Sequence, residues 1–518
     1  MLDAQLASFI ALLSVFALNA LAAEKPNIVV ILADDIGYGD LGCYGATKIK
    51  TPNLDRMARE GLRFTDAYAP ASVCTPTRYS LITGQYAWRN PAGAGILKGT
   101  APWSIRPGAT TLPGVLKQAG YATGIVGKWH LGLGTKEDGQ DWNGDIKPSP
   151  LELGFTYSFI IPATGDRVPC VFIENHRIVG LDPKDPIAVS YGQRIGNEPT
   201  GAEPQGKPVK LKAADKNHNQ SLVNGIPRIG FMTGGQQARW MDEEIPATLA
   251  KQAVTFIEQH KAGLFFLYFA SHDIHAPRVP NARWKGSSQA GIRGDVVQQL
   301  DWQVGEILST LDRLKLGDNT LVFFSSDNGG TLENGYAEGP GNNLNGHSIN
   351  GPLRGFKGSL FEGGVRVPLL ARWPGRIKPG TETRQIASLV DLTETAAAIT
   401  GQTLPVGAAP DSFNLLPLLA SSGQQPVRDY MIVQQNGTQG LAIRRGDWKF
   451  IPGGSAGGKR KGNQSSDPAA SADPPVGQLF NLAKDIGESS NVAAQYPEVV
   501  RDLSGLLMRA RRANQTRP

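Results

Sequence analysis

Four short apolar runs lie along this 518-residue chain, and each is long enough to form one strand. Continuous apolar runs of this length are typical of a parallel sheet whose two faces are both covered by helices. Amphipathic stretches before the last three runs predict helices over residues 112–119, 244–260 and 296–314. We therefore predict an α/β fold with a large, mostly parallel or mixed sheet flanked by helices. The predicted strands are Asn27–Leu32, Tyr121–Val126, Leu264–Ala270 and Thr320–Phe324.

Polar side chains follow each of these strands within a few residues. Ligand sites of open α/β sheets lie at the carboxyl ends of the strands, so these side chains are expected to meet in one polar site. Carboxylate and amide oxygens without a neighbouring thiolate favour a hard cation, Ca²⁺ or Mg²⁺ before Zn²⁺. In strand order, the side chains are Asp34 and Asp35, Lys128 and His130, His272 and His275, and Asp327 and Asn328.

The pattern changes after residue 426, where short alternating runs predict antiparallel strands and a final helix. We predict a catalytic domain over residues 24–425 and a small subdomain over 426–518. Residues from about 177 to 235 are rich in Gly, Pro, Asn and Lys, which predicts a surface loop insertion. The predicted elements of the subdomain are strands at Met431–Val433, Leu441–Arg444 and Trp448–Ile451 and a helix at Glu498–Arg511.

Two polar segments and the first residues complete this outline. Residues 334–350 are predicted to rim the site, and residues 453–475 form a low-complexity segment. An apolar run followed by Ala20-Leu21-Ala22 resembles a signal peptide over residues 1–23, which predicts export to the periplasm or the exterior. No later uncharged stretch reaches the ~18 residues of a membrane span, so no stable membrane insertion is expected.

Composition adds little to this picture. Hydrophobic residues make up 40% of the chain and charged residues 19%, as in an ordinary folded protein. The net charge of +6 suits an anionic substrate but is too slight to predict a nucleic-acid partner. Three cysteines are too few for a disulfide framework, so one thiol with a chemical role is a reasonable hypothesis.

The segment from Cys74 to Gly84 reads CTPTRYSLITG. It resembles the signature C-[ST]-P-[ST]-R-x-x-L-x-T-G of the sulfatase family, in which a maturation enzyme oxidises the cysteine to formylglycine. The chain also resembles this family, within the alkaline phosphatase superfamily, in the order of its other motifs. It is similar to the branch that contains arylsulfatase A and N-acetylgalactosamine-6-sulfatase. The motifs are ILADDIGYGDLGCYG, TPNLDRMAREG, GKWHLG, IHAP, SSDNGG and FKGSLFEGGVRVP.

The resemblance implies a role for each matching residue. Asp34, Asp35, Asp327 and Asn328 would bind Ca²⁺, together with the modified Cys74. Arg78 and Lys128 would hold the formylglycine, and His130 would orient and deprotonate its hydrate. The residues expected to hold the sulfate are Lys128, His275 and Lys357.

Three further residues are weaker candidates. Arg167, His176 and His272 could contact the substrate, although ordinary structural roles explain such residues equally well.

These expectations point to removal of sulfate from a sulfated carbohydrate, and three alternatives stay open. The first is an arylsulfatase of broad specificity. The second is a phosphate or phosphonate monoester hydrolase of the same superfamily, whose phosphate hydrolases commonly use two transition metals. The third is a glycan-binding protein on an inactive sulfatase scaffold.

Overall fold

The computed structural model describes residues 25–332, 335–338, 343–420, 426–454 and 476–517. The predicted signal peptide, and all but residues 453 and 454 of the low-complexity segment, lie outside the described residues. The strands within those ranges are β1 Asn27–Ala33, β2 Leu62–Phe64, β3 Ala67–Tyr68, β4 Ala122–Lys128, β5 Tyr157–Ile161, β6 Ile173–Glu174, β7 Arg177–Ile178, β8 Ala188–Ser190, β9 Lys212–Ala213, β10 Leu222–Val223, β11 Ile226–Pro227, β12 Phe231–Thr233, β13 Phe265–Ala270, β14 Thr320–Ser326, β15 Tyr336–Ala337, β16 Leu369–Arg372, β17 Thr381–Thr383, β18 Ala387–Ser388, β19 Tyr430–Gln434, β20 Leu441–Arg445, β21 Trp448–Ile451 and β22 Gln478–Asn481.

Ten of these strands form one mixed sheet in the order β17-β2-β16-β14-β1-β13-β4-β5-β6-β7. Its centre, β14-β1-β13-β4-β5, is parallel throughout. The four strands predicted from apolar runs are the four neighbours β14, β1, β13 and β4. The prediction of a large mixed α/β sheet is therefore confirmed, and all four carboxyl ends lie at one edge.

Both faces of the sheet are buried, which explains the unbroken apolar runs. Ile28, Val30 and Leu32 of β1 pack into one hydrophobic cluster, while Val29 and Ile31 pack into another on the opposite face. No helix in the described ranges is long and apolar enough to cross a membrane. The α-helices there are α1 Pro52–Glu60, α2 Cys74–Thr83, α3 Leu112–Gln118, α4 Ile245–His260, α5 Gly291–Arg313, α6 Glu362–Val365, α7 Leu392–Thr400, α8 Leu416–Ala420 and α9 Pro497–Arg512.

Helix α5 begins five residues before its predicted start. Its first turns are polar but buried: Arg293 is fully buried, and Asp295 accepts hydrogen bonds from the amides of Gly286 and Ser288. Because a buried polar turn breaks the apolar periodicity, the pattern of the sequence places the helix start too late.

The insertion over residues 177–235 is less exposed than expected. It contains short strand pairs, and one of its members, β9, pairs with β15 beyond the insertion. Arg228 in this segment is fully buried and forms a 2.6 Å ion pair with Asp242. A buried ion pair thus fastens this predicted surface insertion to the segment before α4.

A separate antiparallel sheet, β19-β20-β21-β22, follows the large one. On one face, Ile432 and Phe450 pack with Leu503 and Leu507 of α9. The other face packs against the segment around α6, with Phe361 and Phe480 in edge contact at 6.2 Å between ring centroids. The predicted antiparallel sheet with a terminal helix is confirmed, with β22 as a fourth strand whose apolar run is too short to detect.

Gly329, directly after β14, shows how tightly the carboxyl edge is packed. A Cβ atom there would lie 1.9 Å from the carbonyl oxygen of Gly363. We expect Gly329→Ala to lower the free energy of unfolding by about 1–3 kcal/mol, because backbone must move to admit one methyl group. Thermal denaturation measures this loss. Gly263→Ala is the control, since a Cβ there meets nothing within 4 Å; equal stability of both variants would contradict the packing.

Candidate active site

The acidic residues that follow β1 and β14 meet at the carboxyl edge of the sheet. The backbone amide of Asp35 donates to Asp327 Oδ1 over 3.3 Å. Asn328 Nδ2 donates to Asp35 Oδ1 over 2.7 Å. These residues and Asp34 are buried. The predicted convergence of Asp34, Asp35, Asp327 and Asn328 is thus present in the structure.

Three cations from three other segments neutralise the three carboxylates. Lys128 Nζ lies 2.6 Å from Asp34 Oδ2, and Lys357 Nζ lies 2.5 Å from Asp35 Oδ1. The third cation is Arg78, whose Nε donates to Asp327 Oδ2 over 2.9 Å. Buried carboxylates are stable only when such partners compensate for lost hydration.

The acidity of these carboxyl groups differs with their neighbours. Burial raises the pKa of Asp35, but the positive charges of Lys357 and Lys128 outweigh burial and hold that pKa well below its usual range. Asp35 is therefore ionised at neutral pH. By contrast, burial and the nearby Asp34 carboxylate raise the pKa of Asp327.

Two buried oxygens in this cluster, Asp34 Oδ1 and Asn328 Oδ1, have no hydrogen-bond partner. Asp34, Asp35 and His275 also offer ligand atoms that all lie within 4.8 Å of one another. Carboxylate and amide oxygens are the ligands of hard cations such as Ca²⁺. The residues present therefore fit a hard cation, with His275 as a neighbour that the expected ligand set did not contain.

Cys74 is the first residue of α2, a helix that is buried throughout. Its Sγ lies 3.4 Å from Nδ1 of His130, whose Nε2 lies 2.9 Å from the carbonyl oxygen of Leu97. Because a carbonyl only accepts, Nε2 carries the hydrogen and Nδ1 presents its lone pair to Cys74. Burial lowers the pKa of His130 well below its usual value, as do the charges of Lys128 and Arg167. His130 is thus a neutral base facing Cys74.

His275 is a second neutral imidazole in the site. Its Nδ1 donates to the carbonyl oxygen of Ala276 over 2.8 Å, which leaves the lone pair on Nε2. Burial lowers its pKa to about 3, and the charge of Lys357 adds to this effect. At neutral pH its Nε2 can accept a hydrogen bond.

Arg167 lies beside the site, in a cluster that sequence reasoning missed. Its Nη1 donates to Asp166 Oδ1 over 2.9 Å. His218, from the insertion, lies 3.3 Å from Asp166 Oδ2 and pairs with Asp215 over 2.9 Å. Burial lowers the pKa of His218, but both carboxylates outweigh burial and raise it overall. Only the spacing of Asp215 and His218 in the sequence hints at this pair.

The two other histidine candidates differ. Both ring nitrogens of buried His272 lack a hydrogen-bond partner, and a Cβ at Gly165 would lie 2.1 Å from its Nε2. His272 therefore borders the Thr164–Arg167 segment. His176 pairs with Glu152 over 2.9 Å near the amino end of β5, so the structure does not bring it into the site.

Comparison with known proteins gives a consistent result. The model for the family described as Sulfatase matches residues 26–402. The chain is 47% identical to N-acetylgalactosamine-6-O-sulfatase of Bacteroides thetaiotaomicron, over 94% of each protein. It is 35% identical to human arylsulfatase A, over 96% of this chain and 89% of that protein.

A solved structure connected with the metabolism of multiple glycosaminoglycans by Bacteroides thetaiotaomicron has a TM-score of 0.88 and 46% identity. That similarity covers 95% of this chain and 100% of the other. The phosphonate monoester hydrolase of Agrobacterium radiobacter shares the fold, with a TM-score of 0.58 at 17% identity over 95% of this chain and 96% of the other. The chain therefore belongs to the sulfatase family and is a sulfuric ester hydrolase.

Proposed function

We propose that this sulfatase removes sulfate from a sulfated carbohydrate, with the 6-sulfate of an N-acetylgalactosamine unit as its preferred substrate. The observation that carries this proposal is the 47% identity to a relative named for that reaction, over nearly the full length of both chains. The side chains around the nucleophile are charged, which favours an ester whose alcohol part is a sugar over one whose alcohol part is apolar. Arg167, Asp166 and His218 together offer donors and acceptors for hydroxyl groups.

We further propose that Cys74 is converted to formylglycine by a maturation enzyme. The hydrate of that aldehyde has two hydroxyl groups on one carbon. One is the nucleophile that takes up the sulfate, and loss of the proton from the other expels the sulfate and restores the aldehyde. His130 Nδ1, 3.4 Å from Cys74 Sγ, is the base placed to accept that proton. The neutral form of His130 favours this role, because a protonated imidazole has no lone pair.

The cations of the site bind and orient the ester in this proposal. Lys128 and Lys357 donate to the sulfate oxygens, and Lys128 and Arg78 hold the modified side chain. His275 lies beside them with a lone pair on Nε2, so it accepts a hydrogen bond from a substrate hydroxyl instead of holding a sulfate oxygen, as the resemblance had implied. Lys357 also serves as the acid that protonates the departing alcohol, since His275 is neutral in the free enzyme. His272 and Arg167 contact the sugar. Such preorganised donors stabilise the charge that develops during transfer.

We propose Ca²⁺ as the bound cation, with Asp34, Asp35, Asp327, Asn328 and the modified Cys74 as its ligands. The unpartnered oxygens of Asp34 and Asn328 support this assignment. When bound there, Ca²⁺ would supply Lewis acidity that favours ionisation of the hydroxyl and polarises the sulfate.

The remaining proposals concern the whole chain. We propose export after removal of residues 1–23, a catalytic domain over 24–425 with an insertion at about 177–235, and a subdomain over 426–518. The separate sheet β19–β22 supports the last boundary. Sulfated polysaccharides outside the cell would then be accessible to the enzyme.

Loss of Cys74 tests the reaction. We expect Cys74→Ala to abolish sulfate release from N-acetylgalactosamine 6-sulfate, and Cys74→Ser to accept sulfate once without turnover, because serine lacks the second hydroxyl. Sulfate and phosphate release are measured in parallel with matured wild-type protein and Ca²⁺. Dominant phosphate release, or full activity without Cys74, would contradict the proposal.

Calcium binding is expected to stabilise the folded protein as well as activate it. At a Ca²⁺ concentration of ~100 times Kd, the free energy of unfolding should rise by about 2.7 kcal/mol. The Tm of chelator-treated protein is measured with and without Ca²⁺. The same titration of Asp34→Asn should give a smaller shift. A response to Zn²⁺ alone would argue against the hard-cation site.

Arg167 distinguishes a carbohydrate sulfatase from a broad arylsulfatase. We expect Arg167→Gln to raise KM for the sulfated sugar about tenfold through loss of a charged hydrogen bond, while KM for 4-nitrophenyl sulfate stays unchanged. His176→Gln, at the other edge of the sheet, should alter neither value. An equal rise in KM for both substrates would contradict a contact between Arg167 and the sugar, and would indicate that Arg167 acts on the nucleophile or the sulfate, which both substrates share.

A further inference from the structure

The segment that carries Lys357 lies between the large sheet and the small one. On the side of the large sheet, the amide of Lys357 donates to the carbonyl oxygen of Gly330 over 3.2 Å. The amide of Gly358 donates to the carbonyl oxygen of Ser72 over 2.7 Å. Lys357 is thus attached both to the segment after Asn328 and to the segment before Cys74.

The turn after β19 completes this arrangement from the other side. Gln435 Nε2 donates to the carbonyl oxygen of Gly358 over 2.9 Å. The carbonyl oxygen of Gln434 accepts from the amide of Ser72 over 2.8 Å, and the Gln434 amide donates to Pro70 over 3.0 Å. Ser72, Gly358 and the Gln434–Gln435 pair therefore form a continuous ring of hydrogen bonds two residues before Cys74.

The same turn also reaches the segment that orients His130. Asn436 Oδ1 accepts from the amide of Ile96 over 3.2 Å, and the amide of Gly437 donates to Ala94 over 2.9 Å. Leu97, the next residue along, provides the carbonyl oxygen that fixes the tautomer of His130. Three segments of the site thus depend on one turn of the small sheet.

The far end of the Lys357 segment is fixed by Glu488, which is fully buried. Its Oε2 accepts from the amide of Glu362 over 2.6 Å, and its carbonyl oxygen accepts from Arg354 over 2.8 Å. Lys449 lies between the two carboxylates, 2.9 Å from Glu362 Oε1 and 2.8 Å from Glu488 Oε1. The segment from Arg354 to Glu362 is therefore held at both ends, and its middle is held by Gln435.

We infer that Gln435 is a positioning residue that sets the placement of Lys357 relative to Cys74, through its hydrogen bond to the carbonyl oxygen of Gly358. This inference rests on the proposed role of Lys357 in holding the sulfate. Gln435 itself does not touch the reacting atoms. It acts by fixing the peptide next to Lys357, whose Nζ lies 2.5 Å from Asp35 Oδ1.

Gln435→Glu is a sharp test, because the new side chain has the same shape and its carboxylate cannot donate to a carbonyl. Gln435→Met removes the donor without adding charge. Gln439→Glu is the matched control: the same change in the same turn, at an exposed side chain whose contacts are Thr438 and Arg511. Each variant is made in the wild-type chain and in Lys357→Ala, and Tm, kcat, KM and the inhibition constant of inorganic sulfate are measured.

We expect both Gln435 variants to lower kcat/KM about tenfold and to raise the inhibition constant of sulfate, with unchanged Tm. In the Lys357→Ala background, they should cause no further loss, because the residue through which Gln435 acts is gone. Gln439→Glu should match its parent in both backgrounds. If Lys357→Ala has no measurable turnover, the same comparison is made from sulfate binding.

Unchanged kinetics of the Gln435 variants in the wild-type chain would overturn the inference, as would an equal loss in both backgrounds. A fall in Tm that accounts for the lost activity would also overturn it. The proposed function fails separately: in that case Lys357→Ala alone leaves turnover and sulfate inhibition unchanged.

Discussion

The site depends on the balance of charge between three buried carboxylates and three cations, of which Arg78 and Lys128 are buried and Lys357 is partly exposed. Asp34, Asp35 and Asp327 follow two neighbouring strands, whereas Arg78, Lys128 and Lys357 come from three other segments. Ions of either sign are costly to bury alone, so each segment is stable in place only when the others are present. The carboxyl edge of the sheet is therefore a cooperative unit.

Much of this unit could be predicted from the sequence because its signals are local. A strand buried on both faces needs an unbroken apolar run, and the residue after that run is fixed at the edge of the sheet. Asp34, Lys128, His275 and Asp327 were found by this argument alone. Cys74, Arg78 and Lys357 follow no such strand, and only the resemblance to a family identified them.

The other features of the site depend on contacts between residues that are far apart in the sequence. Such contacts produce no periodic pattern of apolar residues. His218 reaches Asp166 across 52 positions, and Gln435 reaches Gly358 across 77. The insertion was predicted as surface loops because Gly and Pro interrupt its pattern, and that pattern gives no sign of the buried pair between Arg228 and Asp242. Composition predicts where a chain turns but does not predict which distant group a turn will contact.

The burial of Cys74 has a consequence for the order of events during synthesis. Cys74 is only 1% exposed in the folded chain and lies under segments that the turn at Gln434 holds in place. An enzyme that converted Cys74 as proposed would have to reach the thiol before the small sheet packs over this part of the chain. Under that proposal, modification and folding would compete in time, and a chain that folded first would keep its thiol unmodified.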